Sequence, residues 1–408
     1  MDPRRARLSA ALIAAVVAAE VAVLLLRPRE GVIDPAPVKA RSYFSEQELD
    51  RARGYRRPQL ALYGGQLAIE AGLLVLLVRR PPARLRRRFT RPLVAGAVAG
   101  AALSVGLTIA PLPLAAVARQ RAIDVGLDTQ SWGGWAVDLG KSTAIGAVLS
   151  GAGAALLLAL MRRFPRHWWA PAAGASVVIS AVFLYAGPVV LDQIINRYKP
   201  LPPGQARSDV LTLAHRAGVK VGQVYEVDAS RRTSAANAYV TGLGSTKRVV
   251  LYDTLLRRFK RDETRLVVAH ELGHVHYRDV PRGLLYVAIV APFALFAVQR
   301  LTRRLAPGGS EPGAPAVLPA VALSLALVSG TIGVISNQLS RRIEARADSY
   351  SLKLTDAPEP FVSSERKLAV QNLADPDPPR WIVALLGTHP PTIERIGTAV
   401  AFERQEKK

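Results

Sequence analysis

Arg261-Asp-Glu-Thr-Arg-Leu-Val-Val-Ala-His270-Glu271-Leu-Gly-His274-Val-His-Tyr-Arg-Asp279 reads as one helix, with Asp262 as its expected N-cap. Four-residue spacing places His270 and His274 one above the other, the arrangement that lets two imidazoles hold a single Zn²⁺. Glu271 projects beside them, where a carboxylate can take a proton from water made acidic by the metal. His276 breaks the four-residue rhythm and points away. Arg265, Arg278 and Asp279 bracket the motif, so this helix lies at a membrane edge rather than inside a span.

The membrane enters because half of the 408 residues are apolar and come in long blocks. Seven blocks approach or reach the ~20 residues a spanning helix needs. They lie near Leu8–Leu26, Gln59–Val78, Pro92–Ala110, Thr143–Met161, Trp168–Leu191, Leu284–Val298 and Val317–Ile335. Arg27-Pro28-Arg29 follows the first block with no small-residue cleavage site, which favours an uncleaved anchor over a signal peptide. Pro292 interrupts the sixth and shortest block. Gly308-Gly309-Ser310-Glu311-Pro312-Gly313 reads as the turn between the sixth and seventh. Glu20 and Glu70 sit within the first two blocks, and two readings stay open for them: interhelical hydrogen bonds, or the wall of a wet cavity.

The net charge of +23 is concentrated in Arg beside apolar blocks, as around membrane spans, with no interleaved aromatics and no basic recognition helix. This argues against nucleic acid as a partner and for the lipid bilayer. The absence of cysteine excludes disulfides, thiolate nucleophiles and Cys-ligated metal, so any metal is held by His and carboxylates. The expected organisation is a five-span N-terminal region (1–191) and a first peptidase half (192–282). A transmembrane hairpin (283–335) and a second peptidase half (336–408) follow. The fold class is predominantly α: a polytopic seven-helix membrane bundle with a split α+β zinc-metallopeptidase domain.

A catalytic zinc needs a third protein ligand and an open fourth position. The segment Asn337-Gln-Leu-Ser-Arg-Arg-Ile-Glu344-Ala-Arg-Ala-Asp348 sets Glu344 and Asp348 on one helical face. Glu344 completes a His₂Glu set, and Asp348 is placed to orient a ligating histidine. Upstream, Asn237-Ala238-Tyr239-Val240-Thr241 and Arg248-Val-Val-Leu-Tyr252 flank a Gly-containing turn and read as a hairpin. This hairpin is either purely structural or a strand that pairs with an extended peptide. Asp253 is expected to cap the next helix. Gly387-Thr-His389-Pro-Pro-Thr-Ile-Glu-Arg395 also has two readings: a surface turn, or donors from His389 and Arg395 to the oxyanion of a tetrahedral intermediate.

Taken in order, these pieces resemble the type-1 CAAX prenyl endopeptidases, integral-membrane zinc metallopeptidases of the gluzincin type. The resemblance runs through Asn196-Arg-Tyr-Lys-Pro200, Asn237-Ala-Tyr, His270-Glu-Leu-Gly-His274, Ser340-Arg-Arg-Ile-Glu344…Asp348 and His389-Pro-Pro…Arg395-Ile. Seven spans and Trp132-Gly-Gly-Trp135…Asp138…Lys141 agree with it. It implies one zinc per chain on His270, His274 and Glu344, with Glu271 as general base. It also implies that Asn237, His389 and Arg395 lie near the scissile bond and that the spans enclose a water-filled chamber. The implied partners are peptide or membrane-protein substrates, prenylated or not; some relatives serve membrane-protein quality control. On sidedness, the Arg-rich loops Arg79–Arg91, Arg162–Arg166 and Arg300–Arg304 fall on one side. The positive-inside rule makes that side cytoplasmic, whereas eukaryotic members of the resembled family keep their zinc domain in the cytosol. Two rival functions remain at this stage. An intramembrane site-2-type zinc protease needs His-Glu-x-x-His within a span, against the charged flanks. A transporter or scaffold would carry a structural zinc.

Overall fold

A computed structural model describes residues 3–86, 89–190, 196–242, 247–306, 308 and 311–407. The apolar blocks form helices α1 (Pro3–Leu26), α2 (Glu46–Arg79), α3 (Pro92–Ile109), α5 (Trp132–Arg163) and α6 (Trp169–Val190). The C-terminal pair are α10 (Asp279–Leu305) and α11 (Leu318–Thr355); a shorter α4 (Leu112–Asp124) links α3 to α5. Six of these helices are long and apolar enough to cross a membrane. Of the other two, α4 is the short linker and α6 has an apolar run of Trp169–Tyr185 among the described residues.

Several helices outrun the expected spans because polar residues extend them into water. Helix α2 starts well before residue 59: Ser45 Oγ accepts the Glu48 N–H (3.2 Å), and Glu48 returns an acceptor to the Ser45 N–H (2.9 Å). Pro292 does not break α10, whose 27 residues run through it. Helix α10 is held through the proline by its packing against α1 and α6. Helix α11 continues without a break past position 335, so one helix carries the chain from the last span to Glu344 and Asp348.

The two intramembrane glutamates have different surroundings. Glu20 accepts from Gln338 Nε2 (3.2 Å), tying α1 to α11. Glu70 and Gln66 instead line a largely apolar cavity of about 950 Å³ among the spans.

The extramembrane part consists of β1 (Tyr198–Pro200), α7 (Gln205–Arg216), β2 (Gln223–Val227), β3 (Ala238–Thr241), β4 (Arg248–Tyr252) and α8 (Asp253–Arg258). It continues with α9 (Arg261–His276) and, after α11, with α12 (Pro358–Gln371), α13 (Arg380–Leu386) and α14 (Thr392–Glu406). The sheet order is β1-β2-β4-β3, with β2 and β4 parallel and the other two pairs antiparallel. The expected hairpin is therefore present as β3–β4, its turn at 243–246 lying outside the described residues, and β3 is an edge strand. One sheet face buries Val224, Val249 and Leu251 against Val268 and Leu272 of α9 and Leu213 of α7. Each such side chain contributes about 1.5–3 kcal/mol by leaving water, and this packing fixes α9 across the sheet.

Two expected caps are reassigned. Helix α9 begins at Arg261, where Glu263 accepts the Lys260 N–H (2.7 Å) and Asp262 instead pairs with Arg265. Asp253 is the first helical residue of α8, and its buried carboxylate receives the Ser230 N–H (2.9 Å) and Arg257.

In the bundle, α3 and α5 approach closely because glycines face each other's backbones. A Cβ on Gly100 would lie 2.4 Å from Ala154 Cβ and 2.8 Å from Ser150 O. Such overpacking costs about 1–3 kcal/mol. Gly100→Ala should lower the thermal midpoint of the detergent-solubilised protein. Gly72→Ala, at a site with nothing within 4 Å, should not. Equal midpoints for the two variants would contradict this account of the α3–α5 contact.

Candidate active site

Helix α9 crosses α11 at close range because the crossing point carries Gly273. A Cβ there would sit 3.4 Å from Ala347 Cα and 3.2 Å from Tyr350 Cδ1. The crossing brings His270 and His274 against Glu344. His270 Nε2 lies 3.2 Å from Glu344 Oε2 and 3.2 Å from His274 Nε2, while His274 Nε2 lies 3.7 Å from Glu344 Oε1. Ligand atoms about 2.1 Å from a common centre at tetrahedral angles are about 3.4 Å apart. The three side chains fit a metal ion by that measure, and their donor atoms all lie within 4.8 Å of one another. Glu344 Oε2 is buried, and among the described residues its near neighbours are the imidazole nitrogens of His270 and His389, as suits an atom facing an ion.

Each histidine has a carboxylate behind it. His270 Nδ1 is 2.8 Å from Asp348 Oδ1, and His274 Nδ1 is 3.0 Å from Asp279 Oδ2. An ionised carboxylate only accepts, so each Nδ1 carries the proton and each Nε2 lone pair turns toward the cluster. Burial disfavours a second proton on His270, but Asp348 and Glu344 outweigh it and push its pKa up to about 10. The carboxylates around His270 thus favour positive charge at that point.

Asp348 was expected in this place; Asp279 was not. It reaches His274 because Arg278 adopts a left-handed conformation (φ 55°), turning the chain sharply between α9 and α10. A non-glycine residue in that region is uncommon, and nothing in the residue type announces it. Arg346 in turn donates to Asp279 and stacks over the Tyr277 ring (4.1 Å to the centroid).

Glu271 lies on the opposite side of the cluster from these supports, facing β3. Burial raises its pKa above the ordinary carboxylate value, and the Val240 backbone amide beside it acts in the other direction. The orientation of β3 follows from one bond: Tyr252 N–H donates to Asn237 O (3.0 Å), so Asn237 faces β4. By antiparallel alternation Ala238 and Val240 turn their main-chain groups outward, toward Glu271. Of the three expected substrate-binding residues, Ala238 buries its methyl in the core. Tyr239 takes the far sheet face, its hydroxyl 2.7 Å from that of Tyr198. Asn237 is exposed, and its Oδ1 accepts the Ala238 N–H (2.9 Å). What this strand offers the site is main chain.

His389 stands at the open side of the cluster, its Nε2 3.2 Å from Glu344 Oε2 and its side chain 58% exposed. Arg395 stands beside the cluster, but its donors are turned to other partners than an oxyanion. Its Nε and Nη2 donate to Asp348 (2.8 and 2.6 Å), and its Nη1 pairs with Glu365 Oε2 (2.6 Å). With those nitrogens engaged, Arg395 acts on the site by holding Asp348. Burial raises the pKa of Glu365 to about 7, with Arg395 opposing. Glu365 had no sequence signature, since a lone glutamate on an amphipathic helix reads as solvated.

Residues 200–402 match the model of peptidase family M48. An uncharacterized metalloprotease of Bacillus subtilis (strain 168), YhfN, is 32% identical over 303 residues, covering 72% of this chain and 70% of the relative. A CAAX prenyl protease 1 homolog of Oryza sativa subsp. japonica is 28% identical, with 55% of this chain and 53% of the relative covered. The chain belongs to peptidase family M48, and CAAX prenyl protease 1 homologs are among its relatives. The crystal structure of S. mikatae Ste24p superposes with a TM-score of 0.73 at 20% identity, over 98% of this chain and 99% of that one. This M48 member is therefore a multi-pass membrane metallopeptidase, a hydrolase. It spans most of YhfN but only about half of the rice relative. Neither the site-2-type reading nor the transporter reading is favoured by these matches.

Carboxylates that orient ligating histidines typically change metal affinity 10–100-fold when removed. Asp348→Asn and Asp279→Asn should each weaken zinc retention by about that factor in chelator competition. Unchanged retention in the Asp279 variant would show that its contact with His274 does not support the ligand.

Proposed function

We propose that this chain is a zinc endopeptidase that cleaves an extended peptide laid along the outer edge of β3. The observation that carries this reading is the facing of Glu271 and the outward main chain of Ala238 and Val240 across a His-His-Glu cluster. Edge-strand pairing fixes a peptide through its backbone, and it leaves side-chain preference to neighbouring pockets.

His270, His274 and Glu344 would hold one zinc ion per chain. The ion, when bound, supplies Lewis acidity toward a substrate carbonyl and toward water. The remaining steps belong to the protein. Glu271, whose carboxylate is made more basic by burial, accepts a proton from the attacking water and delivers it to the leaving amine. His389, at the mouth of the cluster, donates to the oxygen that gains charge at the scissile carbonyl. Arg395 fixes Asp348, and Asp348 with Asp279 fixes the two imidazoles. Residues 192–282 and 336–408 act as two halves of one catalytic unit separated by the 283–335 hairpin. Their shared interior supports this, since Tyr350 and Leu368 from the second half pack against the core of the first.

The names of the relatives suggest the first substrate to test, a farnesylated C-terminal peptide. General-base removal typically costs 10²–10⁴-fold. Glu271→Gln should therefore lose cleavage by at least about 10²-fold while keeping its zinc. Full cleavage by purified Glu271→Gln protein would sink the mechanism. The same variant, expressed in membranes, should retain its substrate for mass spectrometry. Recovered prenylated C-termini would assign the substrate class, whereas damaged membrane proteins would assign quality control instead.

A further inference from the structure

Behind the metal cluster, on the side away from β3, lies a cavity of about 510 Å³ that the peptidase reading does not use. Its walls join two chemistries. Leu25 and Leu26, the last residues of span α1, form an apolar lip, and Leu25 is 63% exposed. Arg27, Arg29, Arg282 and Arg346 supply cations, against Glu30 as the one carboxylate among the lining residues.

Arg346 makes this more than a patch of surface arginines. It is 4% exposed, it is engaged by Asp279 through Nη2, and its buried Nε has no hydrogen-bond acceptor among the described residues. A buried guanidinium nitrogen left without an acceptor is costly unless something supplies one. The backbone is shaped around the cavity as well. Gly31 adopts φ 79°, and a Cβ there would lie 2.9 Å from Tyr277 Oη, so the turn that closes one wall admits only glycine without a shift.

The height of the cavity is set by α1. Its apolar segment Arg7–Leu26 has 20 residues, about 30 Å of helix, which matches the hydrocarbon thickness of a bilayer. Arg27 and Arg29 therefore stand at headgroup level. Basic pockets at that level between spanning helices suit anionic headgroups.

We propose that this cavity binds the phosphate group of an anionic phospholipid, with the lipid's acyl chains running along the Leu25–Leu26 end of α1. A free phosphate would satisfy the arginines but would leave the apolar lip unused. The site backs directly on the metal ligands: Tyr277 lies three residues after His274, and Arg346 two residues after Glu344. A headgroup held by Arg346 touches the support of His274 through Asp279, so lipid composition is coupled to the position of a metal ligand.

The test is lipid retention, which needs no peptidase activity and so stands or falls separately from the catalytic reading. Full-length protein is reconstituted with equal phosphatidylglycerol and phosphatidylcholine, extracted in mild detergent and weighed by native mass spectrometry. Wild type should retain phosphatidylglycerol preferentially. The Arg29→Gln/Arg282→Gln double variant should lose that preference about thirty-fold, at about fivefold per arginine near an anionic surface. Arg29→Lys/Arg282→Lys should keep most of it, and this pair controls for misfolding. Equal preference in wild type and the Gln variant would overturn the site. Displacement of the lipid by millimolar inorganic phosphate would overturn the lipid assignment in favour of a soluble phosphate ligand.

Discussion

Everything in the site depends on how closely α9 and α11 cross. Gly273 and Ala347 are small where the two helices meet, and a larger residue at either would push Glu344 away from His270 and His274. The crossing is stabilised from both sides, by the sheet packed under α9 and by the ion pairs that surround Asp348. That one carboxylate receives His270 from α9 and Arg395 from α14 while sitting on α11 itself. Three segments separated by the transmembrane hairpin and the C-terminal loops are joined at a single buried group. Removing one partner of such a pair costs about 3–5 kcal/mol because the other charge is left stranded.

The sequence announces most of the candidate metal cluster, and the reason is periodicity. His270, His274, Glu344 and Asp348 are spaced by helical geometry, so their faces follow from counting once the helices are recognised. The supporting groups are silent for equally physical reasons. Asp279 reaches His274 only through the left-handed backbone of Arg278, and no residue-type preference predicts that conformation. Arg395 sits in the expected neighbourhood, but its direction depends on Glu365, a residue in a different helix with no motif of its own. The sheet shows the same division. The β3–β4 hairpin is local and legible, whereas the parallel pairing of β2 with β4 joins strands on either side of β3 and is visible only in three dimensions. The spans were located by hydropathy, but their ends were not, because Ser45, Glu48 and the polar half of α11 extend helices beyond the apolar runs.

The N-terminal segment belongs to the peptidase more than its position in the chain implies. After α1 the backbone passes under the catalytic unit, where the Ile33 N–H donates to Ser349 Oγ (2.9 Å) and the Ala36 N–H to Gly397 O (3.0 Å). Ile33 is buried with Leu266 of α9, Leu352 of α11 and Phe361 of α12. Gly397 permits this approach, since a Cβ there would lie 2.3 Å from Ala36 O. The segment after the first span is thereby fastened to α9, α11, α12 and α14.

The unbroken run of α11 has a mechanical meaning. Its 38 residues extend about 57 Å, nearly twice the hydrocarbon thickness, so the helix is a rod with one end in lipid and Glu344 on its projecting arm. Glu344 lies about 27 Å beyond the middle of the apolar part, and a 5° change of tilt about that point would carry it through about 2 Å. Metal coordination tolerates about a tenth of that displacement. A tilt of α11 in the bilayer would therefore move Glu344 relative to His270 and His274 as a lever moves its load, with the sheet under α9 as the abutment.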